Sequence, residues 1–167
     1  MILNSERLTL TEFSVEDAPF FYNLVNDPDW IKYIGDRNVK TISDAEKYLA
    51  DKIISSYKEN GFGFYIVRLK EENTPIGMCG LIKRDWMHYI DIGYAFLAQF
   101  RGKGYALEAG FAIKKYAKEQ LKINQLAAIT DLNNTRSSNL LLKLGFEFKK
   151  VISYSGEESK CNLYLEK

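Results

Sequence analysis

Two glycines, two residues apart, sit between an apolar strand pattern and a long helical repeat, and they constrain this chain more than any other feature. The stretch reads Gln99-Phe100-Arg101-Gly102-Lys103-Gly104-Tyr105-Ala106. Residues 89–97 (YIDIGYAFL) before it have the make-up of a strand. After it, apolar or aromatic side chains recur at 107, 111, 113, 116, 117 and 121, which predicts a helix over residues 105–121. The first N–H groups of a helix have no partners within it and carry partial positive charge, so they can hold a phosphate. Gly102 and Gly104 have no Cβ to block a close approach, and they permit positive φ. Arg101 and Lys103 bring formal charge to the same place. Together these parts predict an anion cradle at a strand-to-helix junction. A basic turn with two helix-breaking glycines is the competing reading.

The spacing rules out two common phosphate motifs. A P-loop needs Gly, four residues, then Gly-Lys-Ser/Thr, whereas here Lys103 lies between the glycines. GxGxxG is not met, because Tyr105, Ala106 and Leu107 follow Gly104. The junction also follows a run of strands and does not sit at the first turn of a βαβ unit.

The surrounding pattern predicts one domain over residues 1–167. Residues 7–13 (RLTLTEF) alternate as a strand. Ser14 with Asp17 opens a helix that stops near Asn26, because Pro28 disfavours helical geometry at Asp27. Ser43 with Glu46 opens a second helix over residues 44–58, and Asn60-Gly61 ends it. Residues 64–69, 76–83 and 89–97 read as an antiparallel meander. After the long helix come a strand at 125–130, a helix at 135–144 with Gly145 at its end, and a closing hairpin of 146–154 and 160–165. The order β, α, α, three β, α, β, α, β, β is that of an α+β or mixed α/β layer fold, with helices on both sides of one sheet.

Bulk properties narrow the partners. The formal net charge of +1 lacks the basic excess of a sequence-independent nucleic-acid binder, so none is expected. No run of eighteen apolar residues is present, so no membrane span is expected. The N-terminus MILNSERLTLTEF does not have the form of a signal peptide. Cys79 and Cys161 have no metal-type spacing, so no metal is expected, and a reduced cytoplasmic protein is the economical reading. The 11 Tyr and 10 Phe either fill the core or line a ligand groove.

Gln99-x-x-Gly102-x-Gly104 resembles the coenzyme A loop of the GNAT superfamily of N-acetyltransferases: Gln or Arg, two residues, Gly, one residue, Gly or Ala. Ile92-Gly93-Tyr94 precede the loop at the distance familiar from the family's fourth strand, and Asn134-Thr135-Arg136-Ser137 and Leu144-Gly145-Phe146 stand at its later motif. Ser5-Glu6-Arg7-Leu8-Thr9-Leu10 is similar to the start of the subgroup that includes the ribosomal-protein alanine N-acetyltransferases. The resemblance implies a GNAT-like fold, a mostly antiparallel sheet of about seven strands flanked by about four helices. It implies transfer of an acetyl group from acetyl-CoA to a primary amine, on a peptide or protein N-terminus or a small cationic molecule. The alternative is a non-catalytic acyl-CoA-binding regulatory module on the same fold. A homodimer is also implied, because ribosomal-type relatives often pair.

The resemblance further implies that pantetheine lies between two splayed strands and pairs with the backbone of Phe96 and Leu97, as an added strand would. Amides from Gln99 to Ala106, including Phe100 and Tyr105, would hold the pyrophosphate, with Asn134 and Asn139 facing the coenzyme. Asn134 reads equally as the N-cap of the last helix, and the two roles are compatible. Many relatives protonate the departing thiolate with a Tyr where this chain has Leu141; Ser137 is the nearest replacement, or else a first-turn capping residue. Asp91 stands where many relatives carry a Glu base, and it reads either as that base or as a solvent-facing strand residue. The acceptor would enter between the segment carrying Asp29, Trp30 and Tyr33 and the closing hairpin carrying Tyr154 and Glu157. Acids there would attract an ammonium, and the rings would add cation–π contacts; solvated turn residues are the other reading.

Overall fold

The computed structural model describes residues 2–153 and 159–167. One eight-stranded sheet runs through it in the order β1-β2-β3-β4-β5-β6-β8-β7. Strands β1 (Ile2–Asn4) and β2 (Leu8–Glu12) form an N-terminal antiparallel pair. β1 is the strand beyond the expected seven, and at three residues it is too short to show an alternating pattern. Leu8 and Leu10 alternate inward, as the period of two predicts, and both are fully buried.

Asp17 Oδ2 accepts from the Ser14 N–H at 2.9 Å, and a 3-10 turn leads into α1 (Ala18–Val25). The helix stops before Pro28 as expected. Pro28 then occupies the first position of a new helix, α2 (Pro28–Tyr33), in a stretch for which the sequence predicts no helix. Proline is suited to that position, since its missing N–H would be unpartnered there anyway. The Asp27 side chain caps this helix by accepting from the Asp29 N–H at 2.9 Å.

The next helix opens two residues earlier than Ser43 and Glu46 suggest, because Thr41 and Asp44 close a competing box. Thr41 Oγ1 accepts from the Asp44 N–H at 3.1 Å, and Asp44 Oδ2 from the Thr41 N–H at 2.8 Å. The rod continues as α3 (Ile42–Tyr48), a π-helical stretch (Leu49–Ile54) and α4 (Ser55–Asn60).

The meander is antiparallel as predicted: β3 (Phe64–Leu69), β4 (Pro75–Ile82) and β5 (Ile90–Phe96). Helix α5 (Tyr105–Glu119) carries the chain over to β6 (Leu126–Asp131), which runs parallel to β5. Then come α6 (Thr135–Lys143) and the hairpin of β7 (Phe146–Ser153) and β8 (Lys160–Glu166).

The two faces of the sheet bury separate apolar layers. Under α5 and α6 lie Leu10, Tyr65, Ile76, Leu81, Ile113 and Leu141. Under α1 to α4 lie Phe21, Leu24, Trp30, Leu49, Ile66 and Met78. Burying one such side chain contributes roughly 1.5–3 kcal/mol. Among the described residues, no helix is long and apolar enough to cross a membrane.

One irregularity in the sheet creates the site. β5 and β6 pair only at Ile90↔Leu126 and Asp91↔Ala127. Beyond Asp91, β5 keeps its full ladder to β4, down to Gly77↔Phe96, but among the described residues it has no strand partner on its other edge. The two parallel strands part there, leaving strand backbone open to a groove.

Candidate active site

The groove has a volume of about 1320 Å³ and runs along the split. That is above the roughly 300–1,000 Å³ of an ordinary small-molecule pocket. Its walls include Asp91, Tyr94, Phe96, Gly102, Gly104, Tyr105, Ala106, Asn134 and Ser137.

At one end lies the glycine junction. A 3-10 turn (Ala98–Phe100) leads into it, Gly102 has φ +75° and Gly104 has φ +82° as the N-cap of α5. An added Cβ at Gly102 would meet nothing within 4 Å, so the chain's own packing leaves the loop's outer face open. Among the described residues, the N–H groups from Gly102 to Leu107 donate to no acceptor, and the first closed bond of the helix is Glu108 N–H to Gly104 O at 3.0 Å. A row of unpartnered donors at a helix start suits a phosphate pair.

The loop's charges are arranged differently from the sequence expectation. The Arg101 guanidinium does not point at the cradle. Its Nη1 donates to Asp29 Oδ2 at 2.6 Å, Nη2 to Asp27 Oδ1 at 2.7 Å, and Nε to the Phe96 carbonyl at 2.8 Å. Arg101 therefore ties the end of β5 to the start of α2. Lys103 is the loop's exposed cation, and its Nζ lies 5.7 Å from the Phe100 ring centroid.

Asp29, expected to draw an acceptor, is similarly engaged. Asp29 also accepts from Arg136 at the start of α6, and Arg136 with Arg101 holds the Asp29 carboxyl below its usual range against partial burial. Trp30 is 5% exposed and packs edge-on to Phe21, so its ring offers no open face. Tyr33 is half-buried, with Lys32 Nζ 4.8 Å from its ring centroid. Tyr154 and Glu157, expected on the far side of the acceptor entry, lie outside the described residues.

Midway along the groove, where β5 and β6 part, stands Asp91. It is 1% exposed, so the solvent-facing reading fails. Its Oδ2 accepts from Arg84 Nε at 2.7 Å, while its Oδ1, with the Ile129 N–H nearby, has no hydrogen bond of good geometry among the described residues. Burial pushes its carboxyl up to about 6, opposed by Arg84 and by the nearby Ile129 backbone. A buried carboxylate with one free oxygen and a raised pKa is suited to accept a proton near neutral pH.

On the α6 side, Asn134 caps the helix: its Oδ1 accepts from the Ser137 N–H at 3.1 Å. Ser137 Oγ lies 2.9 Å from the Tyr94 hydroxyl, which also donates to the Ser137 carbonyl at 3.1 Å. Tyr94 is a groove residue that sequence reasoning did not single out as functional. Its phenol is pushed up by burial, against the pull of its bond to Ser137, and so keeps its proton. Leu141 is buried in the core under α6 and has no proton to give. Asn139 is exposed on α6 and lines the groove, whereas Leu97, Gln99 and Lys103 are not on its wall.

Known proteins resemble this chain in sequence and in fold. An uncharacterized N-acetyltransferase, p20, of Bacillus licheniformis is 31% identical over 96% of this chain and 90% of its own length. A crystal structure of a GNAT-family acetyltransferase from Bacillus anthracis matches with a TM-score of 0.80 and 27% identity, over 99% of this chain and 97% of that one. The [ribosomal protein uS5]-alanine N-acetyltransferase of Escherichia coli is 30% identical over 57% of this chain and 50% of its length. Residues 7–147 match the acetyltransferase (GNAT) domain family. The chain belongs to the GNAT family of acetyltransferases.

Proposed function

We propose that this acetyltransferase moves the acetyl group of acetyl-CoA to a primary amine, on a peptide or protein N-terminus or a small cationic molecule, by direct attack of the amine on the thioester. The observation that carries the reading is Asp91, a buried carboxylate with an unpartnered oxygen, at the point where β5 opens its edge. An incoming ammonium must lose a proton before its lone pair can attack, and Asp91 Oδ1 would take it. The free donors from Gly102 to Leu107 would hold the coenzyme's phosphates, and the open edge of β5 near Phe96 would pair with its amides. The new C–N bond forms as the thioester C=O becomes an oxyanion. The C–S bond then breaks: the thiolate takes the proton of the Ser137 hydroxyl, and Ser137 regains one from the proton still carried by the attacking nitrogen, so the serine is regenerated and the amide leaves neutral, with the Tyr94 hydroxyl 2.9 Å from Ser137 Oγ.

The name of the Escherichia coli relative puts its acceptor on an alanine of ribosomal protein uS5, which favours a peptide amine as the first acceptor to test. The ion pairs of Asp29 remove the clearest electrostatic argument for a polycationic acceptor. Thiol release from acetyl-CoA, followed with N-terminal peptides and with small amines, decides the class. Turnover with none of these amines, alongside tight acetyl-CoA binding, would overturn the reading.

Ser137→Ala should lower kcat roughly tenfold and leave acetyl-CoA affinity within about twofold. That is less than the ~10²-fold typical of losing an acid outright, because the Tyr94 hydroxyl remains. Tyr94→Phe in the Ser137→Ala background should extend the loss. A kcat unchanged in Ser137→Ala would reduce Ser137 to a helix-start residue.

A further inference from the structure

We propose that Arg7 is a positioning residue for phosphate binding: it cancels the charge of Glu108 in the first turn of α5 and turns the Lys103–Gly104 peptide so that its N–H faces the groove. This role presupposes that the 99–106 loop holds the phosphates of the coenzyme.

Glu108 is the conflict that needs resolving. A carboxylate in the first turn of a helix opposes the partial positive charge that would attract a phosphate. Here it is drawn away by three donors from the segment joining β1 to β2. Ser5 Oγ donates to Glu108 Oε1 at 2.6 Å, the Arg7 N–H to Oε1 at 2.7 Å, and Arg7 Nε to Oε2 at 2.7 Å. Although burial opposes it, these bonds hold the Glu108 carboxyl below its usual range, so it stays ionised and paired. Without the guanidinium, an uncompensated negative charge would stand one helical turn from the cradle.

The same guanidinium reaches the loop itself. Arg7 Nη1 donates to the Lys103 carbonyl at 3.1 Å, and its carbon lies 4.6 Å from the centroid of the Tyr105 ring. In a trans peptide the C=O and the following N–H point in opposite directions. Fixing the Lys103 carbonyl towards Arg7 therefore turns the Gly104 N–H away from it, and Gly104 is on the groove wall. Arg7 is not on that wall but lines a separate depression with Glu6, Leu69 and Tyr105. It acts from behind the loop. An added Cβ on Gly104 would lie 3.3 Å from Arg7 Nη2, so the glycine also gives the guanidinium room.

The test uses two acyl donors, acetyl-CoA and S-acetylpantetheine, which lacks the phosphates. Arg7→Gln should raise KM for acetyl-CoA roughly tenfold, with a smaller change in kcat, as expected for losing charged hydrogen bonds at an anion site. KM for S-acetylpantetheine should stay within about twofold. Adding Glu108→Gln to Arg7→Gln should recover part of the loss, roughly threefold, because it removes the stranded charge. An unchanged KM for acetyl-CoA, an equal loss with both donors, or no recovery in the double variant would each overturn the role. Full acetyl-CoA affinity in Gly102→Val would instead sink the assignment of the loop, so the two failures are distinct.

Discussion

Gly102→Val should weaken acetyl-CoA binding roughly a hundredfold, whereas Gly61→Val should leave it unchanged. The two glycines make a matched pair. Gly102 has φ +75° and Gly61 φ +77°, and an added Cβ would meet nothing within 4 Å at either. Each valine therefore carries a similar backbone strain, roughly 1–3 kcal/mol for a side chain held at positive φ. Gly102 lines the groove beside the unpartnered N–H groups of α5, while Gly61 ends α4 and is absent from the groove wall. Thermal unfolding should register both substitutions, and calorimetric titration with acetyl-CoA should register only the first. Gly110, further along α5, is unsuitable as a control. A Cβ there would come within 2.8 Å of both Leu144 methyl groups in the core. Equal affinities for the wild type and Gly102→Val would remove the phosphates from this loop.

The features legible in the sequence are those decided within a few residues. The Gly-x-Gly junction, the Ser14–Asp17 start and the alternation of Leu8 and Leu10 each follow from local geometry, and each lies where expected. Where two local signals overlapped, sequence could not rank them: Thr41 with Asp44 prevailed over Ser43 with Glu46. Pro28 ended one helix and began another, because the same ring that forbids a helix interior fits a helix start. The part of the site that local sequence does not reveal depends on distant partners. Arg101 has the make-up of a phosphate-binding cation until α2, more than seventy positions away, supplies Asp27 and Asp29. Tyr94 became visible only when α6 brought Ser137 against it, across 43 positions. Asp91 could have faced either way on an alternating strand; in the fold it is buried, with Arg84 reaching it from seven positions back.

Asp91→Asn should lower kcat/KM roughly 10²-fold or more and remove the acidic limb of its pH profile. In the wild type, kcat/KM should rise as pH passes through about 6, when Asp91 loses its proton and its free oxygen can accept one from the amine. Asparagine keeps the shape and a contact to Arg84 but cannot take a proton. The same substitution should show in stability with the opposite sense. Burial raises the Asp91 carboxyl from 3.8 to about 6 in the folded chain, so folding favours its protonated form. The stability linked to this group is greatest below about pH 4 and is lost as pH rises through about 6. Above that, the buried charge costs about 3 kcal/mol, from a shift of roughly two units. Asp91→Asn removes that cost near pH 8, offset in part by leaving Arg84, whose side chain is 27% exposed, without its ion pair. The variant should therefore unfold at the same or a higher temperature than the wild type at pH 8, and its advantage should shrink as pH falls to 5. A carboxylate kept at a stability cost where β5 and β6 part suits a proton acceptor, and because a buried structural ion pair with Arg84 would carry a similar cost, the pH profile of activity is what separates the two roles. An Asp91→Asn enzyme that keeps its kcat/KM within about twofold, or a wild-type profile flat between pH 5 and 8, would show that the amine loses its proton elsewhere.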